Sequence, residues 1–263
     1  MDEENDPFPL HTAAREGKVT KAEGLLKVRR SSPPDPAYLV SQGPNTYASL
    51  QTDHKLSQRK DDDGRYPIHW AASSNNLDIV LLLANQASFD PDIQDASGWT
   101  PLMISASVPD SEPVLRVLLQ RGADINEKNG SGQTALHFVA SKKNMDIARL
   151  LLGTKPPAST RVRDRRGQYP IHRAAAVGSA PMINLLLKNR SPLNPTDNEG
   201  YTPLHHAVAE GHADAAVALL REGADFTIKN NDDESALDLA PDTGVRRYII
   251  QGAEREGIDL TSL

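Results

Sequence analysis

Apolar residues fall in short clusters that return along the chain at a nearly constant interval. One kind of cluster is rich in alanine, as in PIHWAA at 67–72, and a second kind ends in an apolar triplet, as in LLL at 81–83 and 185–187. Each cluster is long enough for only a short helix, so the pattern predicts two short helices in each unit. The alanines let neighbouring helices approach closely, and each unit buries its apolar face only against its neighbours.

Glycines at positions 64, 98, 132, 167 and 200 open similar stretches that recur every 33 to 35 residues. These stretches read GRYPIHWAA, GWTPLMISA, GQTALHFVA, GQYPIHRAA and GYTPLHHAV. A degenerate copy, DESALDLA, begins at Asp233, and an earlier copy, FPLHTAA, begins at Phe8. The chain therefore contains seven units, which start near residues 6, 64, 98, 132, 167, 200 and 233.

The residue types in each unit suit a helix that begins after a tight turn. Glycine adopts the positive φ of such a turn without steric cost. Thr100 and Thr202 can cap the next helix, and Pro101 and Pro203 stand at its first position, where a missing N–H costs nothing. The period and the T-P-L-H-x-A core match the ankyrin repeat. We therefore predict an all-α fold, an ankyrin-repeat solenoid of seven helix-turn-helix units with hairpin tips, as a single domain over residues 1–263.

One segment breaks the period, because 58 residues separate Asp6 from Gly64. The excess lies near residues 31–58, which are rich in Ser, Pro, Gln and Thr. This composition predicts an exposed insertion loop between repeats 1 and 2. The loop is either a tolerated surface insertion or a partner-binding or phosphorylated segment.

Composition excludes several classes of protein. The chain has no cysteine, so it has no disulfide, thiolate metal site or catalytic thiol. A net charge of −6 does not favour nucleic-acid or membrane-surface binding, and no apolar run approaches the ~20 residues of a membrane span. The N-terminus, MDEENDPFPL, lacks the basic and apolar parts of a signal peptide. We expect a protein of the cytoplasm and nucleus.

The sequence offers no residues for catalysis. Five of the eight histidines occupy the same repeat position, namely His11, His69, His137, His172 and His205. Successive repeat layers are roughly 10 Å apart, whereas a metal ligand lies about 2.0–2.1 Å from its ion. We therefore expect these rings to bond neighbouring backbone, and we predict no catalytic residue, metal site or cofactor. No phosphate-binding glycine loop, nucleophile elbow or HExxH is present.

Positions that vary between repeats carry the information about binding. Trp70 follows the repeat histidine, and Trp99 follows the repeat glycine of the next unit. Both would point outward beside Arg65, and tryptophan and arginine are enriched in binding hot spots. The alternative is that both rings pack against neighbouring tips.

Charge along the chain is uneven. Residues 1–131 hold 13 Lys+Arg and 19 Asp+Glu, whereas residues 132–263 hold 16 of each. Basic residues gather at Lys142, Lys143 and 161–173, which predicts a bipolar groove for a partner of opposite polarity. The candidate protein-binding residues are Asp62, Asp63, Arg65, Trp70, Asp95, Trp99, Phe138, Lys142, Lys143, Arg173 and Tyr201.

Four stretches go beyond the ankyrin consensus: DDGRYPIHWAAS at 62–73, DASGWTPLMISASV at 95–108, IHRAAAVGS at 171–179 and HAVAEGHADAAVALL at 206–220. They resemble the gankyrin family, most of all its fungal form, the sixth non-ATPase subunit type of the proteasome regulatory particle. The family implies a monomeric assembly chaperone of the 26S proteasome that binds the C-terminal domain of the third Rpt-class ATPase and keeps it from docking prematurely on the core particle. It implies contacts through Asp63, Arg65, Trp70, Trp99 and Lys142.

Two features depart from that family. The chain cannot carry the LxCxE motif of animal members, since it lacks cysteine, and residues 31–58 lie outside the family pattern. Two rival functions stay open: a generic ankyrin scaffold for an unrelated signalling or transcription protein, and a hydrolase or transferase with accessory ankyrin repeats. The second needs a separate catalytic domain, for which the repeats leave no room outside 31–58.

Overall fold

The computed structural model describes residues 6–27 and 53–260, and the structural statements below concern those residues. The chain divides into two compact units, residues 1–124 and 125–263, which we call the first and the second unit. Regular structure in the described residues is helical, apart from one isolated antiparallel bridge between Lys229 and Ser235. This confirms the predicted all-α class. The prediction of a single domain over 1–263 stays a prediction.

The first unit contains three repeats. Its helices are α1 (Pro9–Glu16), α2 (Val19–Lys27), the 3-10 helix η1 (Asp53–Gln58), α3 (Pro67–Ser73), α4 (Leu77–Ala84), α5 (Pro101–Ala106) and α6 (Glu112–Gln120). The first helices of the repeats, α1, α3 and α5, pack side by side in one layer, and the second helices, α2, α4 and α6, form the other.

The second unit contains four repeats. Its helices are α7 (Ala135–Lys142), α8 (Met145–Leu152), α9 (Pro170–Ala176), α10 (Ala180–Lys188), α11 (Pro203–Ala209), α12 (Ala213–Arg221), the 3-10 helix η2 (Ala236–Leu239) and α13 (Thr243–Arg255). Helices α7, α9, α11 and η2 pack in one layer, and α8, α10, α12 and α13 pack in the other. The degenerate seventh repeat therefore replaces its first α-helix with a 3-10 turn.

The helices begin where the sequence predicts. Proline occupies the first turn of α3, α5, α9 and α11. The Thr100 hydroxyl accepts the N–H of Met103 at 3.3 Å, which caps α5. The second helices use asparagine instead, as Asn144 accepts the N–H of Ile147 at 3.1 Å. The core between the layers is thin, and its largest fully buried side chains are all Leu, Ile or Met. This accounts for the low aromatic content.

Repeat histidines join each repeat to the next within a unit. His69 Nε2 lies 3.1 Å from the Ile93 carbonyl and 3.0 Å from the Trp99 carbonyl. His172 Nδ1 accepts the Tyr169 N–H at 2.9 Å, so the proton of the neutral ring sits on Nε2, which donates to the Pro195 carbonyl at 3.1 Å. The predicted structural role of these rings is confirmed.

The predicted insertion is only partly described. Residues 31–52 lie outside the described part of the chain. The end of the segment is η1, a helical turn that packs against α2 and α3. Its Gln58 amide donates to the Ser88 carbonyl at 3.2 Å. Among the described helices, none combines the length and apolar character that crossing a membrane requires.

Candidate protein-binding surface

The hairpin tips of repeats 2 to 7 are each built on one acidic or amide side chain. An Asp or Asn stands three residues before each repeat glycine, or before Asp233, and its Oδ1 accepts the backbone N–H groups two and four residues further on, at 2.8–3.1 Å. We call this residue the turn acceptor and the two residues between it and the glycine the tip pair. The turn acceptors are Asp61, Asp95, Asn129, Asp164, Asp197 and Asn230.

The second oxygen of a turn acceptor binds a side chain that differs between repeats. In repeat 2 the indole N–H of Trp70 donates to Asp61 Oδ2 at 2.6 Å. The Trp70 ring is half-buried, with the Arg65 guanidinium 4.8 Å and the Arg15 guanidinium 5.6 Å from its centroid. Trp70 is thus held by one hydrogen bond and two cation–π contacts, which fix it as a rigid surface feature.

Burial alone would raise the pKa of Asp61, but the Trp70 hydrogen bond and the Arg65 backbone N–H outweigh it and hold the pKa below its ordinary value. The carboxylate is therefore charged at neutral pH. Since its indole partner is neutral, the charge is not cancelled by that hydrogen bond. Repeat 2 consequently presents a net negative tip.

Asp62 and Asp63 form the tip pair of repeat 2, and both are exposed. With Asp61 and Trp70 they line a depression of about 650 Å³, whose other wall comes from repeat 1 and includes Arg15. The first unit therefore brings together three of the predicted site residues, Asp62, Asp63 and Trp70, in one open concavity.

The other predicted residues of the first unit lie next to this cluster. Asp95 is only 9% exposed, because it is the turn acceptor of repeat 3. Its Oδ2 lies 3.6 Å from Arg65 Nε, so it positions Arg65 rather than presenting its own carboxylate to solvent. Trp99 is half-buried, and its backbone N–H and carbonyl are used by Asp95 and His69.

In the second unit the predicted residues lie on α7, α9 and the tip before α11. Lys142 and Lys143 are exposed at the end of α7, and Phe138, one turn earlier, is half-buried. Lys143 ends the helix with a positive φ of 57°. Tyr201 is half-buried, with its ring centroid 5.6 Å from that of His206.

Arg173 occupies the position of Trp70 in repeat 5. Its guanidinium donates to Asp164 Oδ2 at 2.9 Å, and the Asp164 side chain is 2% exposed. Burial would raise the pKa of Asp164, but hydrogen bonds from the Gln168 N–H and from Arg173 lower it overall. In repeat 6 His206 takes the same place, with Nε2 at 2.9 Å from Asp197 Oδ2.

Burial also affects the repeat histidines, and it lowers the pKa of His137 and of His172 to about 4. These rings are therefore neutral at physiological pH. Within the part of the chain that the structure describes, His, Asp and Glu side chains form no group that could hold a metal ion.

Of the turn acceptors, only Asp95 is among the binding residues predicted from the sequence. The signal was available, because an Asp or Asn recurs three residues before each repeat glycine, in step with the period. Arg165 and Arg166, the tip pair of repeat 5, belong to the basic stretch 161–173 that predicts the positive end of a bipolar groove, but neither is among the individual binding residues predicted from the sequence. The tip positions, compared repeat by repeat, distinguish these two arginines from the rest of that stretch.

Comparison with known proteins agrees with this architecture. The family model described as ankyrin repeats matches residues 37–129, 111–191 and 136–230. The ankyrin repeat domain of Bcl-3, a member of the IkappaB protein family, superposes with a TM-score of 0.68 at 25% identity, covering 93% of this chain and 98% of that domain. The repeated turn, the helix pairs and these matches define an ankyrin-repeat protein.

Two fungal relatives match over most of their length. An ankyrin repeat-containing protein of Schizosaccharomyces pombe is 39% identical over 81% of this chain and 91% of its own. A Saccharomyces cerevisiae protein named "Probable 26S proteasome regulatory subunit p28" is 34% identical over 92% of this chain and 97% of its own. The chain belongs to the ankyrin-repeat family that includes these two proteins, which confirms the resemblance to the gankyrin family.

Proposed function

We propose that this chain is a non-catalytic chaperone that binds the C-terminal domain of the third Rpt-class ATPase while the proteasome regulatory particle assembles. The observation that carries the proposal is the 34% identity to the yeast p28 subunit along almost all of both chains. Ankyrin repeats make up most of the matched length, and protein binding is the function that such repeats supply.

Binding would rest on shape and charge. In the first unit, Asp62 and Asp63 line an open depression together with the held ring of Trp70. Five carboxylates and three cations line it in all, a net negative setting suited to a basic segment with an apolar or aromatic anchor. In the second unit, Lys142 and Lys143 offer positive charge one turn after Phe138, whereas Arg173, which is paired with Asp164, and Tyr201 lie in the next two repeats. Two clusters of opposite charge favour one orientation of the partner and reject the reverse.

The remaining parts of the proposal follow from this role. The bound chain would keep the ATPase from docking early on the core particle. It would act without cofactor, nucleic acid or membrane, as a monomer when free, in the cytoplasm and nucleus. All of these rest on the family resemblance and on the acidic, cysteine-free composition.

The direct test is calorimetric titration of the full chain with the isolated C-terminal domain of the third Rpt-class ATPase. The corresponding domains of the other Rpt-class ATPases serve as specificity controls. We expect a saturable complex with the third domain at micromolar concentration or below, and weaker or no binding to the others. No complex at micromolar concentration would reject the proposal and favour a scaffold for an unrelated signalling or transcription protein.

A pair of matched variants localises the contact. Asp63→Lys reverses an exposed charge in the tip pair of repeat 2, and Asp232→Lys makes the same change at the same turn position in repeat 7. We expect the first to weaken binding roughly tenfold and the second to leave it nearly unchanged, because charge effects fall off with distance and screening. Far-UV circular dichroism should be unchanged in both. Equal effects of the two variants would exclude Asp63 from the interface.

A further inference from the structure

The tips of repeats 4 and 5 enclose a depression of about 320 Å³ in the second unit, lined by Ser131, Gln133, Asp164, Arg165, Arg166 and Arg173. Contacts between the two tips shape its walls. The Arg165 N–H donates to the Ser131 carbonyl at 2.9 Å, and a Cβ placed on Gly132 would lie 3.2 Å from that same nitrogen. The two tips are therefore in close contact and hold the arginines in register.

The charge in this depression is positive and available. Asp164 is the single carboxylate among its lining residues, and its oxygens already accept the N–H groups of Arg166 and Gln168 and the Arg173 guanidinium. The side chains of Arg165 and Arg166 are exposed and form no ion pair or hydrogen bond within the described residues. Arg173 Nε is buried and has no hydrogen-bond partner among the described residues, while the outer part of this guanidinium is paired with Asp164.

No other tip pair of the second unit has this character. The corresponding residues are Gly130–Ser131 in repeat 4, Asn198–Glu199 in repeat 6 and Asn231–Asp232 in repeat 7. Any charged pair would serve solubility, so solubility does not explain why this pair is basic. The other tip pairs of the second unit are neutral or acidic, in a chain whose net charge is −6. The dibasic pair stands beside a third arginine in a preformed concavity, so it is a local feature rather than part of a general basic surface.

We propose that Arg165, Arg166 and Arg173 form a docking site for an acidic peptide segment of a protein partner. The guanidinium fork binds carboxylates in a bidentate manner, and the depression has room for one or two carboxylate side chains. Nucleic acid fits less well. The depression contains no aromatic ring on which a base could stack, and the chain as a whole repels a polyanion. This inference takes from the proposed function only that the partner is a protein. It does not depend on which protein the partner is.

The test uses a fluorescent peptide with consecutive glutamates between neutral residues, and the same peptide with glutamines instead. Anisotropy of each is measured against the full chain at low ionic strength and again at physiological salt. The variant is Arg165→Glu with Arg166→Glu. The control is Arg221→Glu with Arg255→Glu, which makes the same charge change on exposed residues of α12 and α13, outside the depression.

We expect the glutamate peptide to bind the wild type and the control, the glutamine peptide not to bind, and the variant to lose at least about tenfold in affinity. Equal loss in variant and control would show a diffuse field and overturn the proposal. So would tighter binding of a single-stranded oligonucleotide than of the glutamate peptide, or no binding of the glutamate peptide at low salt.

The two proposals fail separately. If the ATPase domain does not bind but the glutamate peptide does, the docking site stands and the proposed partner is wrong. If the ATPase domain binds the wild type and the Arg165/Arg166 variant equally, and the peptide binds neither, the docking site is wrong and the chaperone function stands.

Discussion

The tips of repeat 2 in the first unit and repeat 5 in the second share one backbone and carry opposite charge. In both, an aspartate accepts two backbone N–H groups through Oδ1 and a side chain nine residues later through Oδ2. The tip pair is Asp62–Asp63 in one and Arg165–Arg166 in the other. In these two repeats the hydrogen bonds of the turn use only the turn acceptor and backbone groups. The charge of these two tip pairs can therefore differ without altering the turn.

The partner of Oδ2 adds to this contrast. Trp70 is neutral and leaves the charge of Asp61 in place, whereas Arg173 cancels the charge of Asp164. The residue at this one position therefore decides whether the charge of the turn acceptor is left in place or cancelled. Variants at these positions can separate the residues that stabilise the fold from those that a partner binds.

Acidification should have the largest effect, and it should act strongly on the second unit. His137 and His172 have folded-state pKa values of about 4, against 6.5 in the unfolded chain. Between those values the unfolded state binds more protons, so stability falls as pH drops from 6.5 towards 4. We expect a loss of about 2–3 kcal/mol per histidine between pH 7 and pH 4.5.

Urea unfolding followed by far-UV circular dichroism at both pH values measures this loss. The His172→Gln variant is the control. It should be less stable at pH 7 and should lose less stability on acidification than the wild type. Identical pH dependence in the two proteins would contradict the assignment of His172 as a buried neutral ring. The lowered pKa values of Asp61 and Asp164 act in a separate window, below the ordinary carboxylate value of 3.8.

Arg173→Met should come next. It leaves the Asp164 carboxylate, 2% exposed, without its cationic partner. We expect a destabilisation of about 2–3 kcal/mol, less than for a fully buried pair because Arg173 is 24% exposed. The measurement is urea unfolding at pH 7. Asp164→Asn should restore much of the loss in the Arg173→Met background, because asparagine serves the same turn at Asn129 and Asn230. If Asp164→Asn does not restore stability, the destabilisation by Arg173→Met does not come from the unpaired charge of Asp164.

Trp70→Phe should have a smaller effect. It removes the indole N–H from Asp61 and keeps an aromatic ring between Arg15 and Arg65. We expect a loss of about 1 kcal/mol, since one hydrogen bond to a partly solvated carboxylate is removed. Thermal unfolding compares this variant with Arg173→Met, which we expect to be the more destabilising of the two. A larger loss for Trp70→Phe would show that the two tips differ by more than the charge of the Oδ2 partner.

Neutralising a tip pair should have the smallest effect on stability. Asp62→Ser with Asp63→Ser, and separately Arg165→Ser with Arg166→Ser, should each change the free energy of unfolding by no more than about 0.5 kcal/mol. None of these four side chains has a hydrogen bond or ion pair in the described residues. Denaturant midpoints give the comparison, and a shift well above that value in either variant would make the pair part of the framework.

Local sequence signals predicted much of the fold. Proline at the first helical position, threonine caps and the repeat histidines each act within one or two repeats, so their roles follow from spacing. The 3-10 turn η2 was not predicted. The degenerate copy DESALDLA keeps the apolar residues of the repeat, so a helix was expected there, but it lacks the proline and the histidine of the other copies. The turn formed by η1 was not predicted either, since its packing against α2 and α3 is a tertiary effect.

The candidate surface was less predictable. Asp95 and Asp63 look alike in sequence, yet the first is buried as a turn acceptor and the second is exposed. Asp95 is itself a turn acceptor, whereas Asp63 stands two residues after one. Only the hydrogen-bond pattern shows which of these turn positions each residue occupies. The outward placement of Trp70 was predicted, but its bond to Asp61 depends on where the first helix lies relative to the tip.

The most direct test of the account exchanges the two tip pairs. A chain with Asp62→Arg, Asp63→Arg, Arg165→Asp and Arg166→Asp keeps its net charge of −6 and all turn acceptors. Its affinity for the C-terminal domain of the third Rpt-class ATPase is measured by calorimetry beside that of the wild type. We predict the wild-type melting temperature and circular dichroism spectrum, with affinity reduced at least about a hundredfold. Wild-type affinity in the exchanged chain would contradict the claim that the tip pairs carry specificity on a constant framework.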